Sequence, residues 1–514
     1  MRQRERNPGR RRHPRPGARR TASAALLLAL TNCGGEPAPT TRFLRGAVQH
    51  TDGRLEVRAW TPGEVVDGVV APRQPECVPL FHVELGDQDR GAAMGAPPPA
   101  TALAFSPDGD RLAIGSATGR VLVVDGWTGR TLVATTRPEA AIKRVAWSAD
   151  GDTLYVGEQS PDAWLHAMDP RTLEDRWTLR LADDLETSAP PVADDVYGVY
   201  SLPAVFAIVV VNDGSLLVAG SHGWTPTDGK RLNRARLYHL GADGGPLGAW
   251  PEAGPADAVL LHPVVRGTDV LVGVSRSAEG PPPPDLPIGG VIDLDLATMT
   301  PRWTRRFPIL APHFEEIFLW DALEKGDGYA IAGLGDGRAF LLDDQGETLA
   351  TLELGVPLLA AGVPISVGVG FGTLVGDDAW FLTTSTNIPW GSADPMARPP
   401  TAHPAQSTVH AVHRDGTRRW SRPLAHAIEG IVPSPDGRSL LVGASSRAAD
   451  TRTDLYGAVL LAPEDGSLQA TCATEGPIDF RPVWAPDNQR IAVSEAPFLL
   501  ESDVRGAYRV TVFR

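Results

Sequence analysis

One sentence of amino acids recurs along this chain. Its clearest copy runs from Thr101 to Thr135, TALAFSPDGDRLAIGSATGRVLVVDGWTGRTLVAT. It reads as four short strands. The first ends at Phe105 and meets the turn Ser106-Pro-Asp-Gly109; the second is Leu112–Gly115. The third is Val121–Asp125, followed by a turn at Trp127-Thr-Gly129, and the fourth is Thr131–Thr135. Pro and Asp-Gly supply the dihedrals that tight turns need. The runs between them are apolar and rich in β-branched residues, as strands are.

Later copies keep this order. Second strands recur eight times, from Leu112–Gly115 through Leu154–Gly157 and Leu440–Gly443 to Ile491–Ser494. Third strands also recur eight times, from Val121–Asp125 to Tyr508–Phe513, but fourth strands follow in only seven. Four antiparallel strands repeated at about 40–60 residues are the signature of a β-propeller blade. The expectation is an all-β fold, a single β-propeller of eight four-stranded blades, with seven as the alternative count. The missing fourth strand is assigned to the N-terminal run Pro79–Leu85, which closes the ring and removes two sheet edges that would otherwise invite aggregation.

The N-terminal region divides differently. The first twenty residues hold nine Arg and Glu5, and a short apolar run follows at Ala22–Leu30. A basic segment and a short apolar core describe an export signal, too short to span a bilayer. Leu30 and Cys33 resemble the lipobox of bacterial lipoproteins, although Asn32 departs from the small residue usual before the Cys. That resemblance implies an exported, lipid-anchored envelope protein with Cys33 as the lipidated residue; an ordinary signal peptide cut nearby is the alternative. The expected divisions are residues 1–33 signal, 34–42 a Pro-rich tether, 43–100 weak strands and a loop that join the closure, and 101–514 the propeller.

Charge supports this split. Residues 1–33 carry +8, so the remainder carries −22 to bring the whole chain to −14. An acidic chain without basic patches is a poor nucleic-acid binder. No apolar stretch after Leu30 is long enough to cross a membrane as a helix.

The third-strand units RVLVVDGWTG, WLHAMDPRT, GGVIDLDLAT and STVHAVHRDG resemble the pyrroloquinoline-quinone-type (PQQ-like) repeat. In that family a strand ends in Asp, a Gly turn follows, and the next strand carries a Trp. Trp177, Trp303 and Trp420 occupy that place, with Trp250 approximately so. The first turns, FSPDG, WSADG, PSPDG and WAPDN, resemble WD-type and YVTN-type propellers instead. The resemblance covers about 101–514. It implies the fold and leaves activity open, because such propellers include enzymes and scaffolds.

Chemical motifs are sparse. There is no G-x-S-x-G, H-E-x-x-H, Walker loop or C-x-x-C. The Asp-Gly pairs read as turns rather than calcium loops. The strand-end Trp residues read as filling between blades, and His166 and His410 as packing residues. His410 and His413, three apart on a strand, face opposite sides. Asp194-Asp195 and Asp377-Asp378 read as solvated loop residues.

Two functions stay open. One is a non-catalytic envelope scaffold that binds a protein or surface ligand, monomeric and without a cofactor. The other is a metal-dependent hydrolase or lactonase-like enzyme using the central channel. The long insertions favour one face: Ser221–Ala235, Ser275–Gly289, Ser385–Ser407, Ser446–Tyr456 and Ala182–Tyr200. They carry Trp224, Arg231, Trp390 and Arg398 as candidate binding residues. Cys77 and Cys472 are the cysteines left after Cys33, and in an oxidising compartment they are expected to pair.

Overall fold

The computed structural model describes short strands between residues 48 and 70, residues 76–85, and most of 102–514; the longest stretches it leaves out there are 188–201, 311–318, 390–402 and 446–455. Residues 1–47, with the expected signal and Cys33, lie outside the described residues, as do Trp390, Arg398, Asp194, Asp195, Asp377 and Asp378.

The strands group into successive antiparallel repeats of four. Repeat one is Ala102–Phe105, Arg111–Gly115, Arg120–Asp125 and Thr131–Thr136, paired in that order. Repeat two is Ala141–Trp147, Leu154–Gln159, Trp164–Met168 and Asp175–Arg180. The pattern continues to repeat eight, where Val483–Trp484, Ile491–Glu495 and Arg509–Phe513 are completed by Pro79–Glu84. The only helix among the described residues is the single turn Ala182–Leu185.

Burial explains the sequence pattern. Second and third strands are buried almost throughout, because neighbouring repeats cover both faces of each sheet. Fourth strands such as Thr131–Thr136 and Pro301–Arg306 alternate between exposed and half-buried, because they form the outer edge. The core lies between repeats. Leu112, Ile114, Leu122 and Val124 of repeat one pack with Val83, Leu85, Val510 and Val512 of repeat eight.

One irregularity is common to all the repeats. Between third and fourth strands the register shifts by a bulge at the same place each time. The extra residue is Leu132 in repeat one, Arg176 in repeat two and Leu80 in repeat eight. A bulge leaves its extra residue unpaired and increases local twist. Leu80, Leu132, Leu247 and Leu349, four such residues, are correspondingly exposed. The N-terminal strand obeys this register, with Phe81 opposite Val512 as Trp177 is opposite Ala167. It is therefore a fourth strand like the rest, delivered from the other end of the chain.

The strand-end aromatics work with the turn glycines. Trp177, Trp303, Trp420 and Phe81 lie against Gly244, Gly346, Gly466 and Gly129 of the following repeat. A Cβ at Gly129 would stand 2.3 Å from the Phe81 ring, and one at Gly466 would stand 2.8 Å from Trp420. All four glycines have positive φ, so Gly serves both the turn and the close approach. The Trp177 and Trp420 indoles donate to Ala242 and Pro463 carbonyls at 3.0 Å, in each case in the next repeat. Trp250 does not share this position: it lies two residues beyond, and Gly248 stands opposite His239 instead.

Residues 76–85 touch three repeats. The Cys77 amide donates to Thr471 of repeat seven at 3.0 Å, and Val78 and Arg514 exchange two hydrogen bonds of 2.8 Å. Arg120 of repeat one donates to the Leu85 carbonyl. The Cys77 and Cys472 sulfurs are 1.92 Å apart, with Cα atoms at 4.8 Å. We propose that this bond forms in the folded protein and contributes ~2–4 kcal/mol. Alkylation of denatured, unreduced protein should then modify neither Cys77 nor Cys472, whereas labelling of both excludes the bond.

Candidate binding surface

Connections on the two faces differ in length. Every described turn between first and second strands, and between third and fourth, spans two to six residues. Connections from second to third strands range from three residues (335–337) to eighteen (390–407). The short turns are chemically closed. In 148–152 and 434–438 the turn Asp accepts from a Ser hydroxyl at 2.6 and 2.7 Å and from the amide two residues on. These hydrogen bonds hold Asp150 and Asp436 below the usual carboxylate range, the Ser hydroxyl being the largest cause. The carboxylates are consumed by their own turns.

The opposite face is built from extended hairpins as well as connections. Ser221–Ala235 is not one loop: Leu216–Trp224 and Leu232–Leu240 stay paired as far as Trp224 opposite Leu232. Likewise Ser385–Pro389 belongs to the strand Ala379–Pro389, paired with Val363–Val375 back to Ile365. Gly223 and Thr225-Pro226 suggest a break in sequence, but cross-strand pairing carries the ladder past the glycine.

Trp224 and Arg231 therefore stand at the tip of one hairpin. The Trp224 ring stacks on His222 at 4.1 Å, and buried His222 contacts the Leu185 carbonyl through Nδ1 at 2.7 Å. Arg236–Asp184 at 2.7 Å and Arg234–Glu186 at 3.2 Å tie the same hairpin to the crossing that follows repeat two. The hairpin is thus held on a rigid frame, where loops gain function.

A cavity of about 510 Å³ opens on repeat two, lined by Arg137, Glu139, Glu158, Asp162, Trp164 and His166, among others. Buried His166 lies between two carboxylates, with Nε2 2.9 Å from Glu158 and Nδ1 3.1 Å from Asp175. Ser160 donates to the other Glu158 oxygen at 3.0 Å, and Arg137 donates to Asp175 at 2.6 Å. His166 is buried as its strand position implies, but it belongs to a polar network that no sequence motif marked.

A second network sits in repeat eight. Arg509 grips Glu495 with Nε at 3.0 Å and Nη2 at 3.1 Å, and contacts Glu475 at 3.2 Å. Thr511 and the amides of Glu475 and Gly476 also donate to Glu495. Burial is the largest influence on Glu495 and raises its pKa against the Arg509 charge. His82, from the closing strand, contacts Thr511 at 3.1 Å and is pulled down to about 4, by burial first and by Arg509 second.

His410 is buried, with Nδ1 2.9 Å from the Ser421 hydroxyl, and burial with Arg418 pulls it down to about 3. Its ordinary value in an unfolded chain is about 6.5. Between those values the unfolded state binds the extra proton, so this group's stabilisation is full above about pH 6.5 and lost as pH falls toward 3. His410→Asn should therefore narrow the difference between urea midpoints at pH 7 and pH 4.5. An unchanged difference contradicts the buried neutral imidazole.

Among the described residues no group of three or more His, Cys, Asp or Glu could hold a metal ion, and no helix is long and apolar enough to cross a membrane.

No family model and no curated protein matches this sequence. Solved structures do. The C-terminal WD40 domain of Sif2 aligns with TM-score 0.51 at 12% identity, over 86% of this chain and 98% of that one. Quinohemoprotein alcohol dehydrogenase from Comamonas testosteroni aligns with TM-score 0.51 at 12% identity, over 81% and 76%. BamB from Moraxella catarrhalis aligns with TM-score 0.48 at 16% identity, over 85% and 97%. The chain has the β-propeller fold with PQQ-like and WD-type repeats. At 12% identity the two alignments with TM-score 0.51 show the fold alone and leave activity to the site itself.

Proposed function

We propose that this β-propeller is a non-catalytic binding scaffold of the cell envelope, eight-bladed and closed by Pro79–Glu84. Its partner is a protein or surface ligand engaged by the long connections and extended hairpins of one face. The observation that carries this reading is the asymmetry of the connections: two to six residues on one face, and as many as eighteen on the other. Length tolerated on a rigid frame is where binding specificity accumulates. Removal of 391–402 with recovery of the partner from detergent-solubilised envelopes tests it.

Cys33 is proposed as the lipid anchor. Cys33→Ser should move the protein into the soluble envelope fraction and stop fatty-acid labelling. Labelling that survives the substitution refutes the anchor without touching the scaffold reading.

A further inference from the structure

Repeats two and eight place the same carboxylate at the same register. In repeat two Val156 is opposite His166 and Gly157 opposite Leu165; in repeat eight Val493 is opposite Thr511 and Ser494 opposite Val510. Glu158 thus corresponds to Glu495, His166 to Thr511, and Trp164 to Arg509. The residue after the preceding fourth strand corresponds too: Arg137 follows Thr136 as Glu475 follows Thr474.

The two carboxylates are satisfied unequally. Glu495 accepts from five donors: two Arg509 nitrogens, the Thr511 hydroxyl and two backbone amides. Glu158 is also buried, yet among the described residues its hydrogen-bond partners are His166 and Ser160 alone. An ionised carboxylate offers about four lone-pair sites, so Glu158 keeps acceptor capacity that repeat eight fills with a guanidinium. Where Arg509 stands, repeat two has half-buried Trp164 and the cavity of about 510 Å³.

We infer that this cavity receives the guanidinium of an arginine side chain presented by a partner polypeptide. The protein's own repeat eight shows what fits that carboxylate. A planar guanidinium meets a carboxylate with two parallel hydrogen bonds, and it stacks on an indole face such as Trp164. Arg137 of the lining is already engaged, donating to Asp175 through Nη2 at 2.6 Å, which leaves Glu158 as the buried carboxylate with spare acceptor capacity. The −22 charge of residues 34–514 draws basic segments toward the molecule. The inference rests on the scaffold reading and names the chemistry that one part of the face recognises.

The test is calorimetric titration of the full chain with acetyl-Gly-Arg-Gly-amide, its lysine analogue and its citrulline analogue. The arginine peptide should bind, the lysine peptide several-fold more weakly, and the uncharged citrulline peptide at least tenfold more weakly. Glu158→Gln should weaken the arginine peptide at least tenfold. Trp164→Arg should remove its binding without lowering the melting temperature, because the new side chain fills the cavity as Arg509 does in repeat eight. This second variant serves if Glu158→Gln does not fold. Equal binding of arginine and citrulline peptides, full binding by Trp164→Arg, or no saturable arginine binding to the native chain overturns the inference. An envelope partner retained by Trp164→Arg but released by removal of 391–402 overturns it while leaving the scaffold reading standing.

Discussion

Arg509→Ala should destabilise the protein by about 3–5 kcal/mol, the cost of stranding a buried carboxylate without its cation. Glu495 is fully buried, and among its described hydrogen-bond donors the charged one is this guanidinium, which reaches both carboxylate oxygens. The effect should be local in origin but global in outcome, because Arg509 pairs with Glu84 of the closing strand. Loss of the pair loosens the repeat that joins the two ends of the chain. The double substitution Arg509→Met with Glu495→Leu should recover most of the loss, since apolar replacement of a buried ion pair is often neutral. Urea denaturation of the three proteins measures this. A single variant within about 1 kcal/mol of the native protein contradicts the account.

Removal of 391–402, bridged by a short Gly-Ser link, should weaken partner binding by about 100-fold or more, roughly 2.7 kcal/mol. Folding should survive, because the cut falls beyond the last described pair, Ile365 with Pro389. Loop closure changes stability by only about 0.6 kcal/mol for each halving or doubling of length. Melting temperature and partner affinity should therefore separate cleanly. Unchanged affinity would remove this connection from the binding surface.

Much of the fold is legible in the residues. Asp-Gly turns and apolar runs mark strand ends within a residue or two, as at Tyr329–Leu334 and Thr408–His413. Counting strands also exposes the need for Pro79–Leu85, one residue longer than the strand observed. The extended hairpin at Leu216–Trp224 is less legible. Its Gly223 and the following Thr-Pro look like a break, and only cross-strand pairing overrides them. The polar networks are hidden for a different reason. Glu158 lies one residue before the end of a second strand and meets His166 in the next strand, with Arg137 and Asp175 completing the group across two repeats. Glu495 meets His82 through Thr511 across almost the whole chain. No motif spacing encodes such meetings; register does. The signal that was present is a carboxylate at the end of the apolar second-strand run, LYVGE and IAVSE, where the other six copies carry Ser116, Ser221, Val274, Leu334, Thr384 and Ala444.

One face of the propeller is expected to bind and the other is not. A photo-cross-linking residue placed at Trp224, on the extended-hairpin face, and separately at Thr128 or Asp415, on the short-turn face, tests it most directly. The account predicts a cross-linked partner from Trp224 in intact envelopes and none from Thr128 or Asp415. A partner captured from Thr128 or Asp415, with none from Trp224, would contradict it.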